Sequence, residues 1–127
     1  MTQKNQIYKC EICGNIVEVL HSGAGELVCC GVPMKIFNEN TEDAAIEKHV
    51  PVIKKTEKGT KIIVGEIDHP MEGNHFIEWI EIITEDGQNL KKFLEPNSTP
   101  EAEFFTDKKI LKARAFCNLH GLWKAKN

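Results

Sequence analysis

A mainly β chain in two parts is what the sequence predicts: a small metal-stapled segment over residues 1–37, then an antiparallel sandwich of immunoglobulin type over 38–127. Three observations predict it. Four cysteines fall within the first thirty residues. Residues 38–48 are polar, acidic and poor in large apolar side chains, as a linker is. From His49 onward, short β-branched and aromatic runs alternate with turn signals.

The first segment reads as strands and turns around sulfur. Gln6 to Lys9 and Ile16 to Leu20 are strand-like, Ser22-Gly23-Ala24-Gly25 is a turn, and Glu26 to Cys29 returns as a strand. Cys10-Glu11-Ile12-Cys13 lets two sulfurs converge on one ion, and Cys29-Cys30 supplies a second pair across a hairpin. Adjacent residues have little freedom to aim both sulfurs at one point, which predicts a distorted tetrahedron. Zinc is the first choice for such a site, and iron, which also accepts four thiolates, is the alternative. So short a segment buries too little apolar surface to fold unaided, so a metal staple is physically sensible. His21, beside the turn with no ligand-spaced neighbour, reads as a solvated loop residue.

After the linker, in which Thr41-Glu42-Asp43 could cap one helical turn over Ala44 to Ile46, the β pattern takes over. Val50 to Lys55 and Lys61 to Glu66 flank Glu57-Lys58-Gly59 as a hairpin. His75 to Thr84 is followed by the turn Glu85-Asp86-Gly87 and by Asn89 to Leu94. Beyond the loop from Pro96 to Pro100, Ala102 to Thr106, Ile110 to Phe116 and Leu122 to Ala125 complete a set of seven. That number of short strands suits a sandwich of two antiparallel sheets.

Composition narrows the function. Hydrophobic residues make up 41% and charged residues 28%, a globular balance. The longest apolar run is Leu27 to Cys30, far short of the ~20 residues of a spanning helix. The polar stretch Met1 to Lys9 lacks the apolar core of a secretory signal, so a reducing, cytoplasmic location is expected. Sixteen basic residues oppose nineteen acidic ones, and no basic stripe invites nucleic acid.

The remaining chemistry-bearing residues are His49, His69, His75, His120 and Cys117. His69 precedes Pro70, which restricts it to extended conformations. Cys117-Asn118-Leu119-His120-Gly121 is a tight knuckle whose two ligand-type residues, three apart, can share one ion. Each of the other histidines, taken alone, reads as a surface or packing residue.

Taken together, Cys10-Glu11-Ile12-Cys13-Gly14, Cys29-Cys30, Glu47-Lys48-His49-Val50-Pro51, His69-Pro70-Met71 and Cys117-Asn118-Leu119-His120-Gly121-Leu122-Trp123 resemble desulfoferrodoxin, the two-iron form of superoxide reductase. The resemblance runs from about Ile7 to Lys126. It implies a desulforedoxin-like domain with a ferric four-thiolate centre, which turns the preference from zinc to iron. It implies a second iron in the immunoglobulin-like domain, bound by His49, His69, His75, His120 and Cys117, His120 through Nδ1 and the others through Nε2. The implied activity is reduction of superoxide to hydrogen peroxide at the ferrous site, opposite the Cys117 sulfur, with re-reduction by rubredoxin or a similar small carrier. The sulfur would accept hydrogen bonds from backbone N–H groups near Leu119 and His120. A homodimer in the cytoplasm is the family's usual form. Lys48 would attract superoxide or order a proton-donating water, and Glu47 would close onto ferric iron after turnover. Outside that context the two are a solvated charge pair. The four-thiolate centre is expected to be mainly structural. Two readings compete with the enzyme: an electron carrier with two iron sites, and a zinc-stapled sandwich used for protein binding.

Overall fold

The computed structural model describes residues 1–42, 49–65 and 69–126. Within it the chain divides into two units, Met1–Asn38 and Glu39–Asn127. The first holds five short strands: β1 (Ile7–Lys9), β2 (Ile16–Glu18), β3 (Val28–Cys29), β4 (Val32–Pro33) and β5 (Lys35–Ile36). β1 lies between β2 and β5, antiparallel to both, while β3 and β4 form a separate hairpin. The only buried hydrophobic side chains of this unit are Ile7, Cys10 and Val19. So small a core cannot offset the ordering entropy of some forty residues, so cross-linking through its cysteines is needed for stability.

Two details depart from the sequence expectation. The strand predicted over Glu26 to Cys29 is only Val28–Cys29, and the expected end of β2 at Leu20 comes earlier, leaving Leu20 exposed. The sequence pattern does not predict β4 and β5. Each is two residues long and has no alternation to read, and β5 is recruited by β1, continuing in the Phe37 N–H to Ile7 carbonyl bond of 2.8 Å.

The second unit is the sandwich. Its strands are β6 (Pro51–Lys55), β7 (Thr60–Val64), β8 (Ile77–Thr84), β9 (Asn89–Phe93), β10 (Glu101–Phe104), β11 (Ile110–Cys117) and β12 (Gly121–Lys124). One sheet runs β10-β7-β6 and the other β12-β11-β8-β9, with all pairings antiparallel. Period-2 alternation builds the core between them. Ile62, Val64, Ala102 and Phe104 from the first sheet meet Ile80, Ile82, Ala113 and Ala115 from the second. The all-β, two-part fold class read from the sequence is what the chain adopts.

The opposite face of the four-stranded sheet is unusual because it buries charge. Glu81 and Arg114, cross-strand partners on β8 and β11, are fully buried and ion-paired. Lys91 reaches Glu81 from β9, and Arg114 Nη1 also meets Glu39 Oε2 at 2.9 Å. Glu39 further binds Lys112, and Asn40 pairs with Trp123 as an isolated bridge. Glu39 and Asn40 therefore belong to the sandwich rather than to a linker. Glu39, part of the acidic composition that suggests a linker, is here the complement of three cations on the sheet, Lys112, Arg114 and Lys124. The capped turn expected at Ala44 to Ile46, and the end of the predicted strand at Glu66, lie outside the described residues.

One irregularity positions the site. Phe116 pairs with Trp79, but the next residue, Cys117, pairs with Ile77. The extra residue in β8 is Glu78, and this bulge turns Ile77 inward, although strict alternation would place it on the face of Trp79. The loop preceding β8, which carries His75, is thereby brought beside the end of β11.

Candidate metal centres

The first centre is assembled by two turns. After β1 the chain folds back at Cys10-Glu11-Ile12-Cys13-Gly14, closed by the Gly14 N–H to Cys10 carbonyl bond of 2.9 Å and by Cys10 N–H to the Asn15 carbonyl at 2.8 Å. Gly14 has φ +85°, which a β-carbon would resist. The second turn is the two-residue loop of the β3–β4 hairpin, Cys30-Gly31, with φ of 54° and 76°. Positive φ at both positions is the signature of a type I′ turn, whose twist matches the flanking strands. Adjacent cysteines can thus serve one ion: Cys29 ends a strand, and Cys30 takes the left-handed conformation that redirects its side chain.

All four sulfurs lie within 4.8 Å of one another, and Cys13 Sγ is 3.6 Å from Cys29 Sγ. A tetrahedron of sulfurs about 2.3 Å from an ion has edges of roughly 3.8 Å, so the cage is of the right size. The electrostatics also ask for a cation. The Cys10 thiol is held down to about 6, chiefly by the Cys13 backbone N–H donating to its sulfur. The Cys30 thiol is pushed up to about 12, and that of Cys29 is raised, both principally by hydrogen bonding with the Cys13 sulfur. The Cys10 thiolate forms readily while Cys29 and Cys30 resist joining it, a conflict that a bound cation removes.

The second centre lies at one end of the sandwich, where β6 and β8 begin and β11 ends. His49 sits two residues before β6, and His75 two residues before β8 in a turn closed by reciprocal bonds with Glu72 of 2.8 and 3.2 Å. Cys117 is the last residue of β11, and Gly121, φ +85°, opens β12 after a three-residue loop. The ligand atoms of His49, His69, His75 and Cys117 lie within 4.8 Å of one another. His120 joins them: its Nδ1 is 3.1 Å from His49 Nε2 and 3.8 Å from Cys117 Sγ.

The four imidazoles form a closed cycle. Ring centroids are 4.6 Å apart for His49–His69, 4.9 Å for His69–His75, 5.1 Å for His75–His120 and 4.9 Å for His120–His49, each pair edge to face. Two nitrogens at right angles, each about 2.1 Å from an ion, would be roughly 3.0 Å apart, which the His49–His120 contact matches. His49, His69 and Cys117 are buried, His75 is half-buried and His120 is exposed, so the site meets solvent on the His120 side. His69 Nδ1 lies 2.8 Å from the Pro70 carbonyl, the kind of bond that fixes a ligand imidazole's tautomer and leaves Nε2 for the ion. Four imidazoles and one thiol are a donor set that fits a divalent transition metal.

A residue outside the predicted site supports two members of it. Trp123 stacks on His49, centroids 4.5 Å apart and planes 14° from parallel, and its Nε1 donates to the His120 carbonyl at 3.1 Å. In the sequence, Trp123 stands out only as the last residue of the knuckle motif that carries the resemblance. Glu47 and Lys48 lie outside the described residues. His21 is exposed.

Comparisons with known proteins agree with this division. The desulfoferrodoxin N-terminal domain family matches residues 2–37, and the desulfoferrodoxin family matches residues 41–126. The desulfoferrodoxin of Nitratidesulfovibrio vulgaris is 58% identical over 125 residues, covering 98% of each chain. The superoxide reductase of Pyrococcus abyssi is 41% identical over 96 residues, spanning 61% of this chain and 84% of its own. The crystal structure of the superoxide reductase from Treponema pallidum superposes with a TM-score of 0.79 at 29% identity, covering 95% of this chain and 97% of that one.

Proposed function

This chain belongs to the desulfoferrodoxin family, and on that premise we propose how its two centres are used. It is an enzyme, a superoxide reductase, and its reaction belongs to the iron site that includes His49, His69, His75 and Cys117. The observation that carries this reading is the closed cycle of four imidazoles with one buried thiol against it. His120 is the fifth ligand, through the Nδ1 that faces His49 and Cys117. The other three histidines use Nε2.

His49, His69, His75, His120 and Cys117 would hold a ferrous ion that would supply the one electron which, with two protons, converts superoxide to hydrogen peroxide. The chain's own residues set the conditions. Four neutral imidazoles add no charge and Cys117 adds one negative charge, so a divalent ion keeps a net charge of +1, which draws a small anion. Burial of His49, His69 and Cys117 keeps bulk water from screening that attraction. Lys48 would add further attraction or order a proton-donating water, and Glu47 would offer its carboxylate to the oxidised ion.

The four-thiolate centre, held by Cys10, Cys13, Cys29 and Cys30, staples the first unit and exchanges electrons slowly. A rubredoxin or similar small carrier returns the electron, and the enzyme works as a cytoplasmic homodimer. Pulse radiolysis of the reduced protein with simultaneous peroxide and dioxygen assay tests the activity. One peroxide per superoxide and no dioxygen is expected. Half a peroxide per superoxide, with dioxygen released, would make the protein a dismutase instead.

A further inference from the structure

The knuckle that carries Cys117 and His120 is tied to the turn that carries His75 through one side chain. Asn118 Oδ1 accepts a hydrogen bond from the Phe76 N–H at 2.9 Å, and Asn118 Nδ2 donates to the Asn74 carbonyl at 3.1 Å. Its backbone N–H donates to the Phe76 carbonyl at 3.2 Å. The two side-chain bonds therefore reach the residues on either side of His75, more than forty positions away in the chain. The His75 turn is itself closed on its other flank by the paired backbone bonds to Glu72. His75 is thus gripped from both sides, while β8 and β11 fix the strands behind it.

The geometry points to Asn118 as a positioning residue of the second metal centre: it sets the His75 turn in register with the Cys117–His120 knuckle without itself touching the ion. This rests on the reading of that cluster as a metal site, but on no part of the reaction. The chemistry of the side chain is selective. An amide offers one acceptor and one donor on a planar fork, which the N–H of Phe76 and the carbonyl of Asn74 each require. Aspartate has the same shape and keeps the acceptor for Phe76. It then opposes a carboxylate oxygen to the Asn74 carbonyl. Alanine keeps neither bond, and only the backbone bond to Phe76 remains.

Outer groups that orient ligands typically alter metal affinity by about 10–100-fold when removed. The test is release of ferrous iron from the reduced holoprotein to an excess of chelator, with each iron counted by its own visible band on reoxidation. Asn118→Ala should release the second-centre iron at least tenfold faster than the parent. Asn118→Asp should fall between them. The four-thiolate centre, which shares no ligand with the second, should release at the parent's rate in all three proteins. The spectrum of the cobalt(II)-substituted second centre should also change in both variants, because the His75 donor is displaced. Asn118→Asp conserves size, so it decides the matter even where Asn118→Ala does not fold. Parental release rates in the variants would overturn the proposal, as would equal loosening of both centres, which would mark Asn118 as a general stabiliser. Failure of the parent to reduce superoxide would remove the activity and leave these release rates to stand alone.

Discussion

At the scale of single residues, the second centre depends on one soft donor among four neutral ones. Cys117 is buried, with Sγ 3.8 Å from His120 Nδ1. Cys117→Ser should lose the sulfur-to-iron charge-transfer band and the superoxide reaction together, because a serine oxygen is hard and poorly ionised where a thiolate is needed. An active variant of the same colour would show that another group supplies the soft donor. On the function proposed above, Lys48 would make a different kind of contribution, to encounter rather than to binding the ion. Steering by charged clefts raises association rates by about 10- to 1,000-fold, and one lysine should supply the lower end. Lys48→Ala should slow the bimolecular reaction by roughly tenfold and flatten its dependence on salt, whereas Lys48→Arg should keep most of the rate. Pulse radiolysis at two ionic strengths distinguishes them. An unchanged rate and salt slope in Lys48→Ala would leave the steering to the metal centre alone.

At the scale of elements, the sandwich carries its ionic cluster on the face turned away from the core, and that cluster gives stability a pH signature. Burial pushes the Glu39 carboxyl up, but Lys112 and then Arg114 outweigh it and hold the group below the ordinary carboxylate range. A lowered folded-state value means that the stabilisation is complete above the unfolded carboxylate's pKa of about 4.3 and fades as pH falls through the lower folded value. Glu39→Gln should therefore be less stable than the parent at neutral pH, with the gap closing in acid. Both tryptophans, Trp79 and Trp123, lie in this unit, so urea unfolding followed by tryptophan emission reports on it directly. A gap that does not change with pH would mean Glu39 acts through packing alone. These same elements show what the sequence made legible. β8 and β11, eight residues each with inward Ile and Ala at period 2, could be read directly, as could the turns that bound them. The two-residue strands β4 and β5 could not, because they exist only through the partners they pair with. Spacing alone exposed the four cysteines, which are local in sequence. The histidines became a set only by resemblance, since His49 and His120 are 71 positions apart and meet only after two sheets have formed. Glu39 reads as linker because nothing nearby in sequence neutralises it; its partners are on β11 and β12.

At the scale of the whole molecule, the chain is two units, each with its own cluster of metal-binding side chains and no ligand in common. The first unit buries three hydrophobic side chains, whereas the second has a core fed by both sheets. Fewer buried side chains leave the first unit more dependent on its metal site for folding than the second. This asymmetry argues that the four-thiolate centre serves its own unit's structure, and it makes a sharp prediction. Cys13→Ser removes one corner of the cage, the sulfur that sits 3.6 Å from Cys29 Sγ, and should abolish the four-thiolate spectrum. The first unit should then lose protection against proteolysis. The second should retain its iron, its tryptophan emission and its reaction with superoxide, because every donor of that site and every strand beneath it lies beyond Asn38. Single-turnover reduction of superoxide by the ferrous variant measures this without involving an electron donor. Steady-state turnover with a reduced carrier then asks whether electrons reach the second iron by way of the first. Equal rates in parent and variant under both regimes fit a structural staple. A variant that completes one turnover normally but stalls in the steady state, with its second iron still loaded, would establish the four-thiolate centre as the route by which electrons arrive.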